Sequence, residues 1–273
     1  MRGFTRWMMP PVLAIVLVGS GLGQEATMHG PMEGLPPPGE PWDLVYMTDS
    51  TGWGVAEFYA EQAEEALGVE VRLHDLRQGG LSARWIEYLL EAPQHAERYA
   101  ERVAEAEIIV VFGNPRLLDM GLPQPDIETC VSVSPEVRPP PAPSDADDWA
   151  PYRASLGRVF ERIWDLREGK PTVFRAVDMY APALGPWEAA GILPECTREW
   201  TTFSEQIRAA AEAHGVRMVS IYDALNGPEH DRDLVELGWI CVDGAHPSVA
   251  GSARAAEALA AAGFEPMPPP RDR

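Results

Sequence analysis

Ile108-Ile109-Val110-Val111-Phe112 is a run of five apolar residues with no polar alternation. A strand with one wet face alternates apolar and polar side chains, so an unbroken run predicts a strand buried on both faces, as in a parallel sheet covered by helices. The flanks fit that reading. Before the run lie two strand-like segments, Leu44 to Thr48 and Val69 to His74, with an amphipathic stretch from Val55 to Leu67 between them and helix-like stretches at Ser82 to Glu91 and Gln94 to Ala106 after them. After it, a long segment with Pro139-Pro140-Pro141 and an acidic stretch near Asp145 leads to helix-like residues Pro151 to Arg167. Strand-like segments at Thr172 to Val177 and Arg217 to Tyr222 then alternate with helix-like stretches at Arg198 to His214 and Ser248 to Ala262. Five strands alternating with helices are βαβ units, and right-handed crossovers then give a three-layer α/β/α domain with a parallel sheet of order 2-1-3-4-5.

That order is flavodoxin-like, and in such sheets ligands bind beyond the carboxyl ends of the strands, near the switch point beside the first. Ser50, Gly79, Asn114, Tyr180 and Asp223 each fall just after a predicted strand, so their loops are expected to converge on one rim. The 273 residues are 45% hydrophobic, enough for one large core. Arg2 and Arg6 precede an apolar stretch from Val12 to Val18, with small residues Gly21 and Gly23 beyond it, so residues 1–23 read as a secretory signal peptide. Residues 24–40, rich in Gly, Pro and Met, read as a flexible linker, and 41–273 as the folded domain. The expected location is secreted or extracytoplasmic in a bacterium, without stable membrane insertion after cleavage. A formal charge of -20 argues against nucleic acid or an anionic membrane as partner, since either would be repelled. Lys170 is the only lysine, and the bias to Arg, Ala, Pro and Gly reads as that of a GC-rich genome. Of the three cysteines, Cys130 and Cys196 sit in proline-flanked, loop-like segments and are the favoured disulfide, leaving Cys241 as a small packed side chain.

Thr48-Asp49-Ser50 and Asp243-Gly244-Ala245-His246-Pro247 supply a hydroxyl, an imidazole and a carboxylate. A serine hydroxyl is a poor nucleophile at neutral pH and needs a base within reach and a group that orients that base. The Asp243-x-x-His246 spacing lets one loop present the carboxylate to one ring nitrogen while the other faces Ser50. Taken alone, Asp49, Ser50 or Thr51 would simply cap a helix, and the histidine would be a satisfied surface residue. Gly79 offers a backbone amide and Asn114 a side-chain amide toward a developing oxyanion, although each in isolation reads as a turn residue. Trp53, Tyr180 and Trp187 lie near strand ends and are candidate walls of a substrate cleft. His230, Asp231 and Asp233 read as a solvated acidic turn, and no metal or cofactor is expected.

The order of these blocks resembles the SGNH hydrolases, also called GDSL esterases and lipases: Asp49-Ser50, then Gly79, then Gly113-Asn114, then Asp243-Gly244-Ala245-His246-Pro247, spanning about residues 42 to 264. The resemblance implies that Ser50 is the nucleophile, that its amide with Gly79 and Asn114 forms the oxyanion hole, and that Asp243 and His246 are orienter and base. Two departures stand out: Thr48 replaces the usual glycine, and Gly113-Asn114-Pro115 stands where the family has Gly-x-Asn-Asp. Gly79 and Gly80 are adjacent, and Gly79 is chosen from its spacing to Ser82-Ala83. The expected function is cleavage of carboxylic esters, small or carbohydrate-borne, with short acyl groups favoured because no amphipathic lid is evident. An acyltransferase, a polysaccharide deacetylase and a non-catalytic binding protein on the same fold are the alternatives.

Overall fold

In the computed structural model, which describes residues 34–115, Cys130 and residues 148–270, Ile108–Val111 is strand β3 and its four side chains are almost completely buried. Burying such side chains stabilises by about 1.5–3 kcal/mol each, enough to hold the segment at the centre of the sheet. On one side β3 pairs in parallel with β1 (Trp42–Met47), aligning Leu44 with Ile108. Its other neighbour is β4 (Val173–Val177), with Val173 opposite Ile108. β2 (Val71–Asp75) lies outside β1 and β5 (Arg217–Val219) outside β4, so the five parallel strands run β2-β1-β3-β4-β5 as expected.

Helices cover both faces. One layer holds α1 (Val55–Leu67) beside α8 (Val249–Ala261), with α7 (Ile221–Asn226) packed on α8. The other holds α2 (Ala83–Glu91), α3 (Ala100–Glu105), α4 (Ala150–Arg167) and α6 (Leu193–Ala213), with the short α5 (Leu184–Ala189) against α6. The signal peptide expected at 1–23, residues 24–33 of the expected linker and the Pro139-Pro140-Pro141 segment lie outside the described residues. Among the described residues no helix is long and apolar enough to cross a membrane.

Several elements differ from expectation. The helix expected at Gln94 to Ala106 is a 3-10 turn at Pro93–His95 followed by α3, because the Glu101 amide bonds to the Ala96 carbonyl, five residues back at 2.9 Å, and interrupts the α-helical pattern between the two. β5 stops at Val219 because the Asp178 carboxylate accepts from the amides of Ile221 and Tyr222, at 2.6 and 3.0 Å, and draws them into α7. Asp223 therefore lies in a helix and not in a strand-end loop. α6 starts at Leu193, before the expected Arg198, since Pro194 suits a first helical turn. β2 runs one residue past the expected end at His74, whose Nε2 meets the Asp43 carboxylate on neighbouring β1 at 2.8 Å.

Cys130 and Cys196 form the favoured disulfide, with Cα atoms 5.4 Å apart. Both are fully buried, and the Cys130 carbonyl accepts from Trp187 Nε1 at 2.9 Å. Cys241 corrects the expectation of a packed thiol. It is exposed, with its Sγ 3.2 Å from the Pro247 carbonyl. Thiol counting on the denatured, unreduced protein should find one free cysteine, Cys241, and Cys196→Ser should cost about 2–4 kcal/mol in chemical denaturation, because the bridge closes a loop of 66 residues. Three free thiols would contradict the bridge.

Candidate active site

β1 delivers the chain to Thr48, Asp49 and Ser50, and Ser50–Gly52 then form a single 3-10 turn ahead of α1. Asp49, 3% exposed, shapes that turn: one carboxylate oxygen accepts from the Thr51 amide at 2.8 Å and the Thr51 hydroxyl at 2.6 Å. Its other oxygen accepts from Asn114 Nδ2 at 2.8 Å. Thr48 is buried where the family pattern has glycine, and its Oγ1 lies 2.2 Å from where a Cβ on residue 52 would stand. Gly52 therefore has no room for a side chain, and the Thr48 side chain fills the inside of the turn. Arg77 braces the turn from outside: it donates to the Gly52 carbonyl at 2.8 Å and pairs with Asp75 and Glu57.

Asn114 follows β3 and sits in an isolated parallel bridge with Ser82, its amide bonded to the Leu81 carbonyl at 2.8 Å. That pairing brings the end of β3 against the start of α2 so closely that a Cβ on Gly113 would lie 2.7 Å from Ala83 Cα. Gly113 is thus required by close approach. Gly79 is exposed in the adjacent loop, which is tied to the Ser50 turn by the Gln78 amide on the Thr48 carbonyl at 3.1 Å. The left-handed conformation of the glycine pair falls on Gly80, with φ of +66°.

His246 comes from a hairpin-like loop closed by the antiparallel bridge of Ile240 with Pro247. The Cys241 amide donates to the His246 carbonyl at 2.8 Å, and Ser248 then caps α8. Inside the loop, Asp243 Oδ1 accepts from the amides of Ala245 and His246, at 2.9 and 3.0 Å. Its Oδ2 lies 2.8 Å from His246 Nδ1, and His246 Nε2 lies 2.9 Å from Ser50 Oγ. Ser50, His246 and Asp243 are therefore one continuous relay, assembled from positions 196 residues apart.

The three aromatics expected to wall a cleft separate. Trp53 is 50% exposed and stacks on His246, with ring centroids 5.0 Å apart and planes at 17°. Tyr180 is 2% exposed; its hydroxyl donates to the Ala245 carbonyl at 2.8 Å, so it supports the histidine loop from inside and is no cleft wall. Trp187 is fully buried against Trp200 and likewise leaves the rim, because both its ring and its Nε1 are satisfied in the interior. His230 bonds to Asp223 at 2.7 Å and stacks on Tyr222, and among the described residues no cluster of His, Cys, Asp and Glu could hold a metal. Sequence reasoning missed Arg77 and the Tyr180 brace. The Asp75-x-Arg77 pair just past a strand was the available signal for the first; nothing local marked the second.

No family model and no curated protein sequence matches the chain. Among solved structures it is similar to the lipase Lip_vut3 from a goat rumen metagenome, at 19% identity and a TM-score of 0.56 over 82% of this chain and 98% of that one. It is similar also to Axe2, an acetylxylan esterase from Geobacillus stearothermophilus, at 14% identity and a TM-score of 0.53 over 82% and 94%. A third likeness is to the lipase/acylhydrolase from Enterococcus faecalis, at 13% identity and a TM-score of 0.50 over 82% and 95%. At such identities the likeness is one of architecture, and the chain has the SGNH hydrolase fold.

Electrostatics prepare one member of the relay. The amides of Ala245 and His246, together with the His246 ring, lower the Asp243 carboxyl from 3.8 to about 2. The folded value lies below the unfolded one, so ionised Asp243 stabilises its loop above about pH 4, and that stabilisation is lost as pH falls towards 2. Carboxyl carbon NMR should place the midpoint near 2, and His246→Ala should leave it below 3.8, since the two amides lead the effect. A midpoint at the ordinary value in that variant would show that the ring, and not the amides, holds the charge.

Proposed function

We propose that the chain is a secreted serine hydrolase that cleaves carboxylic esters through an acyl-enzyme on Ser50. The observation that carries this reading is the relay from Ser50 Oγ through His246 to Asp243, with contacts of 2.9 and 2.8 Å. His246 Nε2 takes the hydroxyl proton as Ser50 Oγ attacks the ester carbonyl, and Asp243 holds the Nδ1 proton and stabilises the imidazolium. The imidazolium then gives its proton to the leaving alcohol. A water deprotonated by the same imidazole attacks the acyl-enzyme and releases the acid. The Ser50 and Gly79 amides and Asn114 Nδ2 are the proposed oxyanion donors, with Asn114 aimed by Asp49. The Cys130–Cys196 bridge suits an oxidising, extracytoplasmic location. Short acyl groups on small or carbohydrate alcohols are the proposed substrates, supported by Trp53 standing over His246 and by an acidic chain that disfavours anionic micelles.

Fluorophosphonate labelling should mark Ser50 and fail on Ser50→Ala, and p-nitrophenyl acetate should give a higher kcat/KM than the palmitate ester. Ser50→Ala and His246→Ala should each lower turnover by about a thousandfold or more at unchanged fold. Wild-type activity should be lost in acid and recovered on neutralisation, because neutral imidazole is the base. An unlabelled chain inert to every ester would make this a binding protein.

Asn114→Ala should lower kcat by about ten- to a thousandfold with little change in KM. It should also destabilise the fold by about 1–3 kcal/mol, since buried Asp49 loses a donor. A variant altered in KM alone would remove Asn114 from the oxyanion hole.

A further inference from the structure

We infer that Trp53 is a positioning residue for the base: its indole face holds the His246 ring in line with Ser50 and favours the imidazolium formed when the serine proton is taken. The inference rests on the esterase reading only for its effect on turnover; the stack itself is a property of the resting chain. Its starting point is the exposure of the relay. The side chains of His246 and Asp243 are 31% and 48% exposed, so water and salt screen their attraction. The carboxylate is anchored by two amides and meets the imidazole at Nδ1, while Nε2 meets Ser50 Oγ, but both contacts lie in the plane of the ring and leave its faces uncovered. Tilt of the ring out of that plane is opposed by a contact on its face, which Trp53 supplies.

Trp53 is suited to that role because its backbone is fixed at both ends of the site. Its amide donates to the Ser50 carbonyl at 3.2 Å, and its carbonyl accepts from Ser252 Oγ of α8 at 3.0 Å. The indole is thereby carried by the nucleophile's own turn and laid on the base, 5.0 Å between centroids and 17° from parallel. A cation within about 6 Å of an indole centroid is attracted by the ring quadrupole, whereas a neutral imidazole gains only dispersion. The stack thus favours the transition state, in which the ring is charged, over the resting enzyme. Ionisable groups on the elements around the imidazole are Asp243 and Cys241 on its loop, Asp49 on the Ser50 turn, Arg77 with Asp75 and Glu57 beside that turn, Tyr180 beyond β4, and Arg254 with Glu257 on α8. Of the aromatics, Tyr180 reaches the same loop but bonds a carbonyl, leaving the face of the imidazole to Trp53.

The test compares Trp53→Leu, which keeps an apolar cover but removes the quadrupole, with Trp53→Phe, which keeps an aromatic face. His246 is titrated by NMR in the resting chain, and kcat and KM are measured separately for p-nitrophenyl acetate. In the Leu variant kcat should fall about three- to tenfold with KM within about twofold, and the imidazole midpoint should lie below that of the wild type, moving the acid limb of the rate profile to lower pH. The Phe variant should recover most of both. An unmoved midpoint with equal losses in both variants would reduce Trp53 to packing. A loss confined to KM would make it a substrate wall, and either result overturns the inference. If the wild type hydrolyses no ester, the esterase reading falls while the midpoint shift still decides the stack.

Discussion

The Asp49 carboxylate is the contact on which the site depends. A buried carboxylate must have its oxygens satisfied or it destabilises the fold by several kcal/mol. Here one oxygen takes the two donors of Thr51 and the other takes the Asn114 amide. Meeting that demand fixes three things together: the 3-10 turn that presents Ser50, the end of β3, and the orientation of the Asn114 side chain. Ser50 and one proposed oxyanion donor thus share a single buried anchor. Gly52 and Gly113 then follow as steric conditions, since the turn and the strand end approach their neighbours too closely for a side chain.

Much of this was legible in the sequence for identifiable reasons. The continuous run at Ile108–Val111 can only be a doubly covered strand, and the crossover rule orders the rest around it. Asp243-x-x-His246 was readable because a short spacing in one loop leaves the carboxylate few ring nitrogens to meet. What escaped was whatever depends on the direction of a side chain. Tyr180 and Trp187 sit in segments that follow a strand, where a rim position is the natural reading, but large aromatics there turn inward once a polar tip finds a carbonyl. Conversely, Cys241 follows Trp239-Ile240 and looks packed, yet the loop that carries Asp243 turns it outward. The replacement of glycine by Thr48 could be noticed in the sequence but not explained: its complement is Gly52, four residues on, and only the folded turn relates them.

The division of labour between strongly and weakly held groups follows the sheet. Donors and acceptors around Asp49 and Asp178 lie at strand ends inside the protein and are multiply bonded. Asp243 and His246 lie on a loop in contact with solvent. The loop compensates locally, by turning two of its own amides onto the carboxylate and by leaning on the Tyr180 hydroxyl from within. Rigidity in this site therefore comes from short-range hydrogen bonds and covering rings, not from a deep charge pair.

The relay joins the first βα unit of the domain to the residues just ahead of its last helix, and α1 and α8 lie side by side only in the finished layer. A contact of such sequence separation forms late, after the entropy of closing a long loop has been overcome. During synthesis, and in any partly folded form, Ser50 is an ordinary unactivated alcohol. Docking of the final helix completes the contact between Ser50 and His246, so under the proposed esterase reading the order of assembly itself confers latency: a chain that has not completed its fold has no base beside Ser50.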